Sequence, residues 1–213
     1  MYILELLSNP VNFIYFVTAL IIGITVHEFA HAWSAVKLGD PTPKLTGRLT
    51  INPFAHLDLL GTLFLFLVGF GWGKPVLINP SNFKDEKKAV LITSFSGALA
   101  NIATAFIFLI PYRLNVYFNL GLENYWFFTL FAFIAMLNLV LAVFNLLPIP
   151  PLDGSKIFSL FLNREQMAYL EKVGPMILIG LLVLSFMIGF NLFGLILYIA
   201  QWLAYLIGGG FPA

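Results

Sequence analysis

Residues 11–36, 89–112 and 125–147 are each long and apolar enough to cross a bilayer, which takes about 20 mostly apolar residues of helix. Few soluble folds can hold three such runs, and composition closes the point. The chain has 213 residues, 60% hydrophobic and 10% charged, where an ordinary soluble domain carries about a quarter charged. Too few polar side chains exist to cover a soluble surface of this size. The expected class is an all-α polytopic membrane protein, a bundle of about 4–6 transmembrane helices making one membrane-embedded domain over 1–213.

A further apolar region, 173–207, is too long for one upright span. Its Gly189-Phe190-Asn191 break predicts two short helices or one strongly bent hairpin. Residues 57–70 are apolar but short and run into the glycine-rich Gly69-Phe70-Gly71-Trp72-Gly73. If this segment is re-entrant, every Lys and Arg except Arg113 lies on one side of the membrane, ten of the 11 basic residues. That is the bias of cytoplasmic loops. A full crossing would move Lys74 to Lys88 to the other side and weaken the bias, so the re-entrant arrangement is preferred.

Residues 45–51 and 75–79 read as short membrane-associated β-strands, being bracketed by Gly, Pro or Asn and containing β-branched residues. Lipid does not tolerate open strand edges, so both would pair or line a wet cavity. A formal net charge of +1 with no basic stripe excludes nucleic acid as a partner. The absence of cysteine excludes disulfides and thiolate metal sites. Met1 to Pro10 lacks Lys and Arg ahead of the first apolar run, unlike a cleaved signal peptide. No internal repeat or appended soluble domain is expected.

The first span carries Ile24-Thr25-Val26-His27-Glu28-Phe29-Ala30-His31. Histidines at i and i+4 share one helical face, so both imidazoles can reach one ion. A glutamate directly after the first His stands near the open coordination position, where it can act as a base on water. Ionisable groups inside a span cost about 2.5–3.5 kcal/mol each, so three in little more than one turn need a compensating partner. The bland alternative is a polar face hydrogen-bonding to neighbouring helices.

Catalytic zinc sites use three protein ligands plus water. The candidates for the third are Asp40, Asp58, Asp85, Asp153, His56 and the remaining glutamates. Asp153 follows the third span in Asn145-Leu146-Leu147-Pro148-Ile149-Pro150-Pro151-Leu152-Asp153-Gly154. Its prolines end the helix and stiffen a turn that can aim the carboxylate back at the first span. Asp153 could equally serve as N-cap of a short helix over 154–162; beside the histidine pair the ligand reading is preferred.

His27-Glu28-Phe29-Ala30-His31 together with Asn145 to Gly154 resembles the site-2 protease family of intramembrane zinc metalloproteases. The resemblance covers about residues 21–156. It is nearest the compact bacterial and archaeal members without PDZ or CBS domains, to which Gly47-Arg48-Leu49-Thr50-Ile51-Asn52-Pro53, His56, Gly61-Thr62 and Gly71-Trp72-Gly73-Lys74-Pro75 are also similar. It implies Zn2+ on His27, His31 and Asp153, Glu28 as general base, and a site opening to the cytosol. The implied substrates are single transmembrane helices. Location is therefore expected to be a multi-pass cell-membrane protein in contact with the lipid bilayer.

Asn145 matches the family's motif asparagine and is a candidate catalytic residue, either bonding the developing oxyanion or orienting the peptide; a plain interhelical bridge is its alternative. Asn101 follows Gly97-Ala98 where many relatives have Gly-Pro, and helix packing accounts for it as well as catalysis does. Asn138 is an interhelical candidate. His56 has two readings, approach to the metal site or a simple interfacial histidine. The rival functions are a membrane zinc transporter and a catalytically silent helix-binding scaffold.

Overall fold

The computed structural model describes residues 9–68, 71–122, 125–187 and 191–208. Helix α1 runs Pro10–Leu38. Asn9 opens it by accepting from the Val11 and Asn12 backbone N–H groups, with Pro10 in the first turn where its missing donor costs nothing. Gly39, at φ +112°, closes it in the left-handed region. A single turn, α2 (Thr42–Leu45), and α3 (Leu59–Val68) follow. Helix α4 (Glu86–Phe118) starts at the Asp85 cap and ends at Asn119, φ 48°. Then come α5 (Trp126–Asn145), a 3-10 segment (Asp153–Leu160), α6 (Arg164–Met187) and α7 (Leu192–Gly208).

Helices α1, α4 and α5 pack on one another, and α7 lies against α4 and α5. The contact surfaces are built from small residues: Ala19, Ala32, Ala35, Ala98, Ala105, Ala135, Ala142, Ala200 and Ala204 are all at or below 1% exposure. In lipid the helices gain nothing from hiding large apolar side chains from one another, and small residues let the backbones close up. Leu109, Ile134, Leu139 and Ile196 are buried among them, while many other large apolar side chains point outward, Leu99 at 63%, Ile107 at 62% and Ile179 at 60% exposure. Among the described residues four helices are long and apolar enough to span a membrane, with Leu192–Ile207 a shorter apolar helix.

The expected bundle of spans is present, and the tail is two helices, one of its two expected arrangements, with α6 a full 24 residues rather than short. Gly189 and Phe190 of the expected break lie outside the described residues, as does Phe70 at the end of 57–70. Helix α3 is ten residues long, about 15 Å at 1.5 Å per residue, half the hydrocarbon thickness. The chain around it closes on itself: Leu57 and Gly73 form an antiparallel bridge, and Lys74 N–H donates to His56 O at 2.8 Å.

The expected β-strands are a correction. Among the described residues there is no strand, and that isolated bridge is the only ladder contact. Residues 45–51 instead leave α2 through a turn, with Arg48 N–H donating to Pro43 O at 2.8 Å and Gly47 at φ +70°. In 75–79 two of the donors go to carboxylates rather than to a neighbouring strand. Pro75 has no N–H, Val76 N–H goes to Glu28, and Asn79 N–H goes to Asp40.

Candidate metal centre

Helix α1 carries His27 and His31 one turn apart, facing α4. Their rings meet edge to face, 4.6 Å between centroids, with the two Nε2 atoms 3.0 Å apart. Each ring is anchored from α4 through its other nitrogen. His31 Nδ1 lies 2.7 Å from Thr93 O, and His27 Nδ1 lies 2.7 Å from Asn101 Oδ1. Thr93, Gly97 and Asn101 recur every fourth residue and so share one face of α4. The gap at Gly97 admits the imidazoles. A Cβ there would stand 2.6 Å from His27 Cε1 and His31 Nε2.

The turn after α5 brings Asp153 to this pair. Asp153 Oδ2 lies 3.0 Å from His27 Nε2 and 3.1 Å from His31 Nε2. Gly154 makes the turn possible, since a Cβ there would sit 2.2 Å from Leu146 O. The N-cap of the 3-10 segment is Leu152, so Asp153 stands at its first position and not at the cap. The competing aspartates do act as caps or staples. Asp58 accepts from Gly61 N–H in α3, and Asp85 from Lys88 N–H in α4. Asp40 accepts from Thr42, Asn79 and Asn82.

The donor chemistry fits a cation. A backbone carbonyl such as Thr93 O only accepts, so the hydrogen-bond network assigns the His31 hydrogen to Nδ1. Asn101 gives its Nδ2 to Gly23 O (3.0 Å) and Asn138 Oδ1 (2.7 Å), so its Oδ1 faces His27 Nδ1 as an acceptor. Both Nε2 atoms therefore carry bare lone pairs, and they converge with a carboxylate oxygen. Three acceptors held about 3 Å apart repel one another unless a positive ion lies between them. A tetrahedral centre with ligands at about 2.0–2.1 Å has ligand atoms roughly 3.3–3.4 Å from each other, close to the separations here.

Glu28 lies on the same helix, and its Oε2 accepts the Val76 N–H at 3.1 Å. It shares with His27 a cavity of about 350 Å3, lined by Phe16, Leu20, Leu141, Phe144 and Asn145 among others. Asn145 donates its Nδ2 to Leu141 O at 3.0 Å. The described His/Cys/Asp/Glu side chains that can hold one ion are His27, His31 and Asp153. The His56 side chain is not among them. It is fully buried and reaches Thr50 O at 2.8 Å, tying down the loop ahead of α3. The bond between Asn101 and Asn138 bears out their reading as interhelical residues, whereas sequence reasoning missed the Thr93 carbonyl and the Gly97 gap. The signal available was the stripe of small and polar residues every fourth position in an otherwise apolar helix.

A bundle of apolar helices enclosing a His, His, Asp cluster with a glutamate beside it defines a membrane-embedded metallohydrolase. The family described as Peptidase family M50 matches residues 116–189, which include Asp153. "Putative zinc metalloprotease YwhC" of Bacillus subtilis is 39% identical over 180 residues, 79% of this chain and 80% of that protein. Rip2 of Mycobacterium tuberculosis, with the same designation, is 32% identical over 81% of this chain and 66% of its own length. "Zinc metalloprotease MJ0392" of Methanocaldococcus jannaschii is 23% identical over 76% of this chain and 38% of its own. No solved structure matches. The chain belongs to peptidase family M50, the site-2 protease family.

Proposed function

We propose that the chain is a zinc-dependent intramembrane endopeptidase that hydrolyses peptide bonds in or near transmembrane helices of membrane-protein substrates. The observation that carries this is the convergence of His27 Nε2, His31 Nε2 and Asp153 Oδ2 with no hydrogen left to share. Two imidazoles and a carboxylate suit zinc, and the relatives carry zinc metalloprotease names. His27, His31 and Asp153 would hold the ion, which when bound acidifies an attacking water and polarises the scissile carbonyl.

The remaining steps fall to this chain's side chains. Glu28 takes a proton from the attacking water as the new C–O bond forms. It then passes that proton to the amine nitrogen as the C–N bond breaks. The Val76 N–H fixes one carboxylate oxygen and thereby orients the other. Asn145 spends one amide hydrogen on Leu141 O, and its second is the candidate donor to the developing oxyanion. The cavity beside His27 and Glu28 is lined mainly by apolar side chains, which suits an apolar substrate segment.

The site opens to the cytosol and the protein sits in the cell membrane in this reading. Two features support that placement. Helix α3 is too short to span, and its flanks meet at Leu57 and Gly73. Lys37 at the end of α1 borders the same surface groove as Lys84 and Lys88 at the start of α4. The deciding experiment incubates purified protein in detergent with a panel of transmembrane-helix substrates, comparing wild type with Glu28→Gln at matched zinc. Cleavage abolished by the mutation and by chelation, with zinc retained in the mutant, is the expected result. Equal cleavage by both proteins would remove Glu28 from the mechanism.

A further inference from the structure

Asn101 on α4 and Asn138 on α5 are both at 0% exposure, inside helices whose other buried contacts are mainly alanine and leucine. Packing alone asks for no amide at either position, and a buried amide is costly unless fully bonded. The bonds run in one direction only. Asn138 Nδ2 donates to Ile134 O at 2.8 Å, which leaves Asn138 Oδ1 to accept from Asn101 Nδ2 at 2.7 Å. The second Asn101 hydrogen goes to Gly23 O at 3.0 Å. Both termini of this run are backbone carbonyls, which cannot donate. Flipping Asn101 would set its oxygen against Gly23 O and Asn138 Oδ1. Asn101 Oδ1 must therefore face His27 Nδ1, 2.7 Å away, and accept its hydrogen.

We infer that Asn138 and Asn101 form a positioning relay that holds His27 in the tautomer with Nε2 bare, aimed at the metal. The inference rests on the zinc reading above and concerns residues that touch neither metal nor substrate. Partners of this kind typically contribute 10–100-fold to metal affinity. Gly23 belongs to the same device. A Cβ there would meet Leu141 Cδ1 at 2.6 Å and the Asn138 amide at 3.5 Å, so glycine lets α5 bring its amide within reach.

The test is zinc affinity in the full-length protein in detergent, read by chelator competition with no substrate present. Asn101→Leu is expected to weaken zinc binding by about 10–100-fold. Asn101→Asp keeps an acceptor for His27 Nδ1 while setting its other oxygen against Gly23 O, and is expected to lose less zinc affinity than Asn101→Leu. Asn138→Leu, which removes one of the two acceptors that orient the Asn101 amide and leaves a buried hydrogen unpaired, is expected to lose at least about threefold. Wild-type affinity in a folded Asn101→Leu protein, or equal losses in the Leu and Asp variants, would overturn the relay. If Asn101→Leu does not fold, Asn138→Leu decides, and an unchanged affinity there overturns it. A wild type that holds no zinc defeats the metal reading itself, and the relay with it.

Discussion

Asp153 Oδ2 lies 3.0 Å from His27 Nε2, although 126 positions of sequence separate the two residues. Removing the carboxylate leaves two imidazoles facing an unfilled position. Asp153→Ala is expected to weaken zinc binding by more than about 100-fold, beyond the loss of an outer partner. The ratio of zinc to protein after dialysis against a chelator measures this. Stoichiometric zinc in the variant would take Asp153 out of the ligand set.

Gly97→Ala tests the gap that admits the histidines. Alanine is the better helix former by about 0.8–1 kcal/mol, so any loss of function cannot come from a weakened α4. The added methyl would stand 2.6 Å from both rings, and zinc binding and cleavage are expected to collapse together. Gly180→Ala is the matched control, since nothing lies within 4 Å of its Cβ position. A Gly97→Ala protein with full zinc and activity would refute the close packing of α4 on the pair.

Asp40 gives an acid-sensitive contribution far from the metal. Burial pushes its carboxyl up, but hydrogen bonds from Thr42, Asn82 and Asn79 outweigh that and hold it below its ordinary value of 3.8. A lowered folded-state value means that the stabilisation is complete above 3.8 and is lost as pH falls through the lower folded value. Asp40→Ala is expected to cost about 1–3 kcal/mol at neutral pH, to leave zinc content unchanged, and to show a shallower loss of stability in acid. Thermal melting across pH reads all three. An unchanged melting curve would show that the loop joining α1 to residues 79–82 holds without it.

The chain has no cysteine, so single introduced cysteines report topology cleanly. Ser81→Cys and Phe161→Cys are expected to resist an impermeant maleimide on intact cells and to react after lysis. Leu120→Cys, between α4 and α5, is expected to react on intact cells. Ser81→Cys labelled from outside while Thr46→Cys, ahead of α3, stays protected would mean that α3 crosses the membrane after all.

The spans were legible because lipid demands apolar length and nothing else in the sequence competes with that signal. Both motifs were legible for a similar reason. His27, Glu28 and His31 stand out as ionisable groups in an apolar run, and Asp153 follows a proline-stiffened turn. The two expected strands failed because local composition cannot say where backbone donors go. The N–H groups of Val76 and Asn79 go to Glu28 and Asp40, residues 48 and 39 positions away. Asn101 and Asn138 read as packing residues for the same reason. Only the three-dimensional meeting of α1, α4 and α5 shows that their amides are oriented from two carbonyls toward one imidazole.

The contributors to this centre are spread along the order of synthesis. A ribosome that has delivered α1 and α4 to the membrane has made both imidazoles, Glu28, and the Thr93 and Asn101 partners that hold the rings. It has not yet made Asn138 or the carboxylate. The third candidate ligand, Asp153, arrives only after α5 and the turn behind it have been placed. The proposed metal centre therefore cannot assemble in a half-inserted chain, before most of the bundle has been built around it.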